Sequence, residues 1–176
     1  MKKKHDPWII KAFLLTFFIT IIISGISNTV SKTCHFYVLV IITILIIFIG
    51  ILFDIIGTSV LTAKEANFHA MASSKVKGSK EGIKLIKNSS NIANFCNDVI
   101  GDICGIVSGS MGAMIAIYIA NNFKIDILVS SLLISSLISS LTVGGKAIGK
   151  KIATKNSDKI IAFVGKIISC FKRNVK

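Results

Sequence analysis

The most apolar run in the chain covers residues 36–57, FYVLVIITILIIFIGILFDIIG, and Asp54 is its single charged residue. About 20 consecutive apolar residues, wound as a helix, cross the hydrocarbon core of a bilayer. Peptide groups inside a bilayer must be hydrogen-bonded within the protein. A single apolar segment can form all of these hydrogen bonds by itself when it is a helix. Residues 36–57 therefore predict a membrane-spanning helix.

Three more apolar runs follow the same logic, over residues 8–27, 93–120 and 127–143. Charged residues make up only 16% of the chain, against about 25% in soluble domains. The first run follows a basic head, as a secretory signal also does, but it is long for a signal and no A-x-A cleavage site follows. We therefore expect it to be retained as an extra transmembrane helix within residues 1–35.

The basic residues are unevenly distributed between these runs. A net charge of +13 alone would also fit a nucleic-acid-binding protein. However, 19 of the 21 lysines and arginines fall in residues 1–11, 62–92 and 146–176. Positive charge concentrates on the cytoplasmic side of membrane proteins. The distribution predicts a multi-pass plasma-membrane protein with both termini in the cytoplasm, and it argues against a nucleic-acid partner.

The two long basic segments also carry apolar residues. Residues 62–92 predict a cytoplasmic helical hairpin, with Gly78 and Gly82 in the bend region. Residues 146–176 predict a basic amphipathic helix that lies on the membrane or on the protein. The predicted fold is an all-α integral membrane protein of about four transmembrane helices, with this hairpin and a C-terminal amphipathic juxtamembrane helix. After the extra helix in 1–35, the spans are predicted at 36–60, 93–120 and 126–145.

Three carboxylates fall within or at the ends of the predicted spans: Asp54, Asp98 and Asp102. Placing a carboxylate in hydrocarbon costs at least ~2.5 kcal/mol, so such residues usually face a bundle interior, pair or bind cations. Asn97 and Ser59 are predicted at similar depth, and oxygen ligands of these types suit Mg²⁺. Asp98 and Asp102 also have a structural interpretation, since acids are favoured near helix N-termini and can pair with lysines.

Enzyme chemistry has little support in this sequence. No nucleophile–base pair, phosphate loop or cofactor motif stands out, so we expect no enzyme activity. The cysteines and histidines are scattered, which makes a structural zinc site improbable.

Three segments carry a resemblance to a known family: TSVLTAKEANF at 58–68, EGIKLIKNSSNIANFCNDVIGD at 81–102 and GGKAIGKKIATKNSDKIIAFVGKII at 144–168. Residues 36–176 resemble the transmembrane domain of the CorB/CNNM magnesium-transporter family, and the chain is expected to lack that family's cytoplasmic CBS and corner domains. The resemblance implies a homodimer and a dehydrated Mg²⁺ site, for which the matching positions are Ser59, Asp102 and the carbonyls of Gly144 and Gly145.

The departures from the family pattern define the competing hypotheses. A family glutamate is replaced by Lys146, while Asp98 is added by this chain. The first hypothesis is a divergent divalent-cation transporter in which Asp98 and Asp102 rebuild the site, with Asp54 and Asn97 beside it. The second is a non-transporting membrane scaffold or regulatory subunit, with a membrane-protein partner, in which Lys146 acts as an internal counter-ion. A third is an anchor whose basic tail binds anionic membrane lipid.

Overall fold

The computed structural model describes residues 7–33 and 35–174, and every regular element in this part of the chain is helical. The basic head at residues 1–6 lies outside the described residues. The all-helical prediction is confirmed for the described part. The elements are α1 (Pro7–Thr33), α2 (Phe36–Thr62), α3 (Glu65–Ser73), α4 (Ser79–Lys87), α5 (Ser89–Asn94), a π-helical segment (Phe95–Ile100), α6 (Gly101–Phe123) and α7 (Ile127–Asn174).

Three helical stretches of the described residues are long and apolar enough to cross a membrane: Phe36–Thr62, Ser89–Phe123 and Ile127–Lys172. In α1, the apolar stretch Phe13–Gly25 is shorter than these. Runs of isoleucine and valine form helices here because lipid offers no water to the peptide groups, which therefore bond within the helix. The described residues therefore contain helices of the length and composition found in membrane proteins.

The spans predicted at 93–120 and 126–145 differ in extent from the observed helices. Residues 89–92, assigned to the hairpin from sequence, belong to the stretch Ser89–Phe123. The predicted span at 126–145 continues without a break into the first part of the predicted tail, and α7 is then kinked at Asn156 (φ −123°, ψ 24°), where two helical segments meet. The lysines along α7 indicated a change from membrane to cytoplasm, but the helix does not end near residue 145.

The described residues divide into two compact units, the first from Met1–Ile51 and Val99–Gly145, the second from Leu52–Asp98 and Lys146–Lys176. In the first unit, Val107, Met111 and Ile115 of α6 pack against Leu39 of α2. Phe36 and Tyr118 stack with ring centroids 4.6 Å apart. Helix packing in lipid depends on close van der Waals contact, because lipid tails are as apolar as the side chains.

The core of the second unit is formed by one buried residue from each of four helices. Val60 of α2, Phe68 of α3, Ala93 of α5 and Ile161 of α7 pack together, and Phe68 is completely buried. Gly82 lies inside α4, where a methyl group would come within 2.5 Å of the Phe68 ring. The glycine therefore lets α4 approach the aromatic ring of α3.

The two hairpin helices meet at a turn that is closed by Gly78. This residue has φ +89°, a backbone conformation that side chains with a Cβ rarely adopt. A Cβ on Gly165 of α7 would lie 2.5 Å from the Gly78 carbonyl oxygen. A Cβ on Gly78 would meet the backbone of Lys166. Hairpin and tail thus touch backbone to backbone at this point.

Asp158 of α7 makes a second connection between hairpin and tail. Its Oδ1 accepts a hydrogen bond from the Lys64 backbone N–H at 3.0 Å, and its Oδ2 accepts one from the Asn67 side chain. Lys64 precedes α3 and has no capping side chain of its own. The carboxylate thus satisfies a helix-terminal donor in the way that an N-cap residue does.

Replacing Asp158 with alanine is expected to lower the free energy of unfolding by about 1–2 kcal/mol, the usual cost of losing a helix cap. Circular dichroism during heating of detergent-purified protein measures this change. Thr154→Ala is the matched control, because Thr154 is exposed on the same helix and its hydroxyl bonds only to backbone carbonyls of that helix. Equal losses in the two variants would contradict a capping role for Asp158.

Candidate functional site

The residues predicted to form the site belong to both units of the fold. Asp54, Ser59, Asn97, Asp98 and Lys146 are in the second unit, while Asp102, Gly144 and Gly145 are in the first.

Asp54 is the most deeply buried carboxylate of the predicted set. It is 3% exposed, on a helix that is long and apolar enough to cross a membrane. Removing an ionised carboxylate from water is costly unless other groups stabilise the charge. Asp54 interacts with other groups of the protein, and its burial on this helix gives it the strongest case for an electrostatic role among the predicted residues.

Asn97 lies directly against the backbone of α2. A Cβ on Gly57 would overlap the Asn97 amide, whose carbon would be 2.7 Å away. The Asn97 Oδ1 atom is buried and has no hydrogen-bond partner among the described residues. Asp54 precedes Gly57 by three residues, so both lie on the same side of α2. The Asn97 carbonyl oxygen is thus held at the face of α2 that carries the buried carboxylate.

Gly57 was missed by sequence reasoning, although it decides where Asn97 can lie. In sequence it appears as one small residue within a run of isoleucines, and its only signal is its distance of seven residues from Gly50. Gly50 also makes a close contact, since a Cβ there would lie 2.9 Å from the Cys104 Cβ. Seven-residue spacing brings residues back to nearly the same face of a helix, so this pattern was a usable signal.

Ser59 is fully buried, and its Oγ has no hydrogen-bond partner among the described residues. Serines inside helices commonly donate to a carbonyl three or four residues earlier, as Ser108 does to Gly105. Two residues correspond to about 200° around an α-helix, so Ser59 is on the side of α2 opposite Gly57. The structure therefore buries Ser59, but on a different face of α2 from Asn97.

Asp98 and Asp102 are both exposed, in contrast to Asp54. Asp98 lies in the π-helical segment and Asp102 in the first turn of α6. A π-helical turn accommodates an extra residue and often occurs at functional positions. Within residues 7–33 and 35–174, no three His, Cys, Asp or Glu side chains come together as a metal-binding group. A site here would depend on carbonyl and hydroxyl oxygens besides carboxylates.

Gly144 and Gly145 continue α7 without a break, since the non-helical position of this helix is Asn156. The carbonyl of a residue inside an α-helix accepts the N–H four residues later. Gly145 packs against the Ile51 side chain, whereas no described residue lies within 4 Å of a Cβ placed on Gly144. Lys146 follows as a half-buried residue. The resemblance implied glycine carbonyls as ligands, and these carbonyls have helical geometry.

A chain whose described regular elements are all helical, with three described stretches able to cross a membrane and a buried carboxylate on one of them, has the features of the class of helical membrane proteins. Comparison of the chain with models of protein families, with curated proteins and with solved structures yields no match. The likeness to the CorB/CNNM family therefore rests on the three sequence segments alone.

Proposed function

We propose that this chain is a divergent divalent-cation transporter of the Mg²⁺ type, with a cation site centred on Asp54. The observation that carries the proposal is the 3% exposure of Asp54 on a helix able to cross a membrane. Ionisable residues within membrane-spanning helices are costly to place there, and many of them mark substrate or ion pathways.

The oxygen atoms near Asp54 suit this role. Asn97 supplies a buried carbonyl oxygen that lacks a hydrogen-bond partner among the described residues, on the side of α2 where Asp54 lies. Mg²⁺ is bound in proteins by one or two carboxylates and keeps several of its waters. In this proposal Asp54 supplies the carboxylate, Asn97 supplies an amide oxygen, and water completes the coordination of the ion. The exposed Asp98 of the same unit attracts cations in this proposal, and Ser59 is a polar group of the same helix as Asp54.

The proposal includes the membrane topology predicted from charge. Four spans, counting α1, put both termini and the hairpin in the cytoplasm of a plasma-membrane protein. Support comes from the basic segments, since Lys64 and the hairpin lysines directly follow α2. We also propose a homodimer. Gly105 and Gly109 of α6 support it, because no described residue lies within 4 Å of a Cβ on either, and small residues permit close helix contact.

The test is Mg²⁺ binding to the purified chain by isothermal titration calorimetry, with Asp54→Asn beside the wild type. We expect the variant to bind Mg²⁺ at least about 10-fold more weakly, because it keeps the shape of the side chain and loses its charge. Asp126→Asn is the matched control, since it makes the same chemical change away from Asp54. Asp126 lies in the loop before α7, where its Oδ1 accepts a hydrogen bond from the Leu128 backbone N–H. Equal affinity of wild type and Asp54→Asn would refute a site centred on Asp54.

The alternative is a non-transporting scaffold or regulatory subunit. The close contact of Gly78 with Gly165, together with the Asp158 cap, favours it, because these contacts would fix a cytoplasmic surface for a partner. In this case the wild type would not bind Mg²⁺, and Lys146→Glu would create binding by removing the internal counter-ion. The same calorimetric titration therefore separates the two functions.

A further inference from the structure

The turn of the hairpin carries a group of lysines. Lys75, Lys77 and Lys80, called here the basic turn, are all exposed. Together with Ser73 and Gly78 they line an open pocket of about 530 Å³. A pocket of this size and charge suits an anionic group.

The only acid that lines this pocket within the described part of the chain is Glu81. Its Oε1 atom lies 3.9 Å from the Lys84 Nζ atom, so a lysine outside the pocket already compensates its charge. Lys166 adds a further exposed cation on α7, because its backbone is adjacent to Gly78. Three to four ammonium groups at one turn produce a strongly positive local potential.

Contacts inside the second unit place this turn near the ends of helices that can cross a membrane. Val60 lies two residues before the end of α2 and packs with Phe68 and Ile161. Gly165, one turn beyond Ile161 on α7, touches Gly78. Four residues of α-helix rise about 6 Å, so along α7 the basic turn is about one turn from the level of the α2 end. The basic turn therefore lies close to the end of a helix that is long and apolar enough to cross a membrane.

We propose that the basic turn binds the headgroup phosphate of an anionic phospholipid in the leaflet next to the second unit. Lysines close to a membrane surface are attracted to anionic lipids, and each adds to the affinity. The closeness of the turn to the end of α2, a helix able to cross a membrane, favours a membrane lipid as the occupant. This site is separate from the proposed cation site, because it uses the hairpin turn and none of Asp54, Asn97 or Ser59.

The experiment is native mass spectrometry of the detergent-purified full chain, titrated with phosphatidylglycerol or with phosphatidylcholine of the same acyl chains. The test variant is Lys77→Gln with Lys80→Gln. Its matched control is Lys150→Gln with Lys151→Gln, which removes two positive charges from exposed residues of α7 that do not line the pocket. A third variant, Lys77→Arg with Lys80→Arg, keeps the charge.

We expect phosphatidylglycerol to bind about 10-fold more weakly to the test variant than to the wild type, with the control and the arginine variant near wild type. Phosphatidylcholine should bind more weakly than phosphatidylglycerol to the wild type. Equal losses in the test and control variants would overturn the proposal, since binding would then follow total charge. Displacement of the lipid by millimolar inorganic phosphate would also overturn it, because free phosphate would be the occupant.

Discussion

Gly78→Ala is expected to lower the unfolding temperature of the detergent-purified chain by about 5–10 °C, a loss of about 2–3 kcal/mol. Two costs combine in this variant. Gly78 has φ +89°, where a residue with a Cβ is strained by about 1–2 kcal/mol. The new Cβ would also meet the backbone of Lys166 and Gly165, which cannot rotate away as a side chain can.

Differential scanning calorimetry or circular dichroism during heating measures this effect. Gly25→Ala is the matched control, because Gly25 is helical, belongs to none of the proposed sites, and a Cβ placed there would meet no described residue within 4 Å beyond its own helix backbone. Alanine is favoured over glycine inside a helix by about 1 kcal/mol, so the control should be neutral or slightly more stable. An unfolding temperature of Gly78→Ala within about 1–2 °C of the wild type would contradict the backbone contact between hairpin and tail.

The helical class of the chain followed directly from its apolar runs, because the length of an apolar run decides whether it can cross a bilayer as a helix. The extent of α7 did not follow. Lys146, Lys150 and Lys151 indicated a boundary between membrane and cytoplasm, but lysine is a good helix former and does not end a helix. Long-range contacts such as Gly78 with Gly165 also could not be predicted, since they join segments that are distant in sequence.

For the candidate site, the sequence indicates how far along a helix each residue lies, but not which way its side chain faces. The position of Asp54 within an apolar run was sufficient to predict a buried carboxylate. Asp98 and Asp102 carry the same signal four residues apart, yet both are exposed. Side-chain direction there depends on helix packing and on the π-helical segment, which shifts the register of the residues after it. Neither property can be read from the local sequence.

Gly57→Ala is expected to lower the unfolding temperature by several degrees, a loss of about 2 kcal/mol, and to weaken Mg²⁺ binding. The added methyl group would occupy the space of the Asn97 amide, whose carbonyl oxygen lies against Gly57. Either the two helical segments separate or Asn97 turns away from the face of α2 that carries Asp54. Both outcomes move the Asn97 carbonyl oxygen, which is a proposed ligand. Thermal unfolding measures the loss of stability, and calorimetric titration of the same sample measures the loss of Mg²⁺ affinity.

A double-mutant cycle with Asn97→Ala separates packing from ligand binding. Once the amide is removed, the methyl group at Gly57 has space, so the pair of substitutions should show a favourable coupling of about 1 kcal/mol or more in stability. Mg²⁺ affinity should not recover in the double variant, because the carbonyl oxygen is missing. Recovery of both stability and affinity would show that Asn97 only fills space. Additive losses of stability would contradict the contact between Gly57 and Asn97 itself.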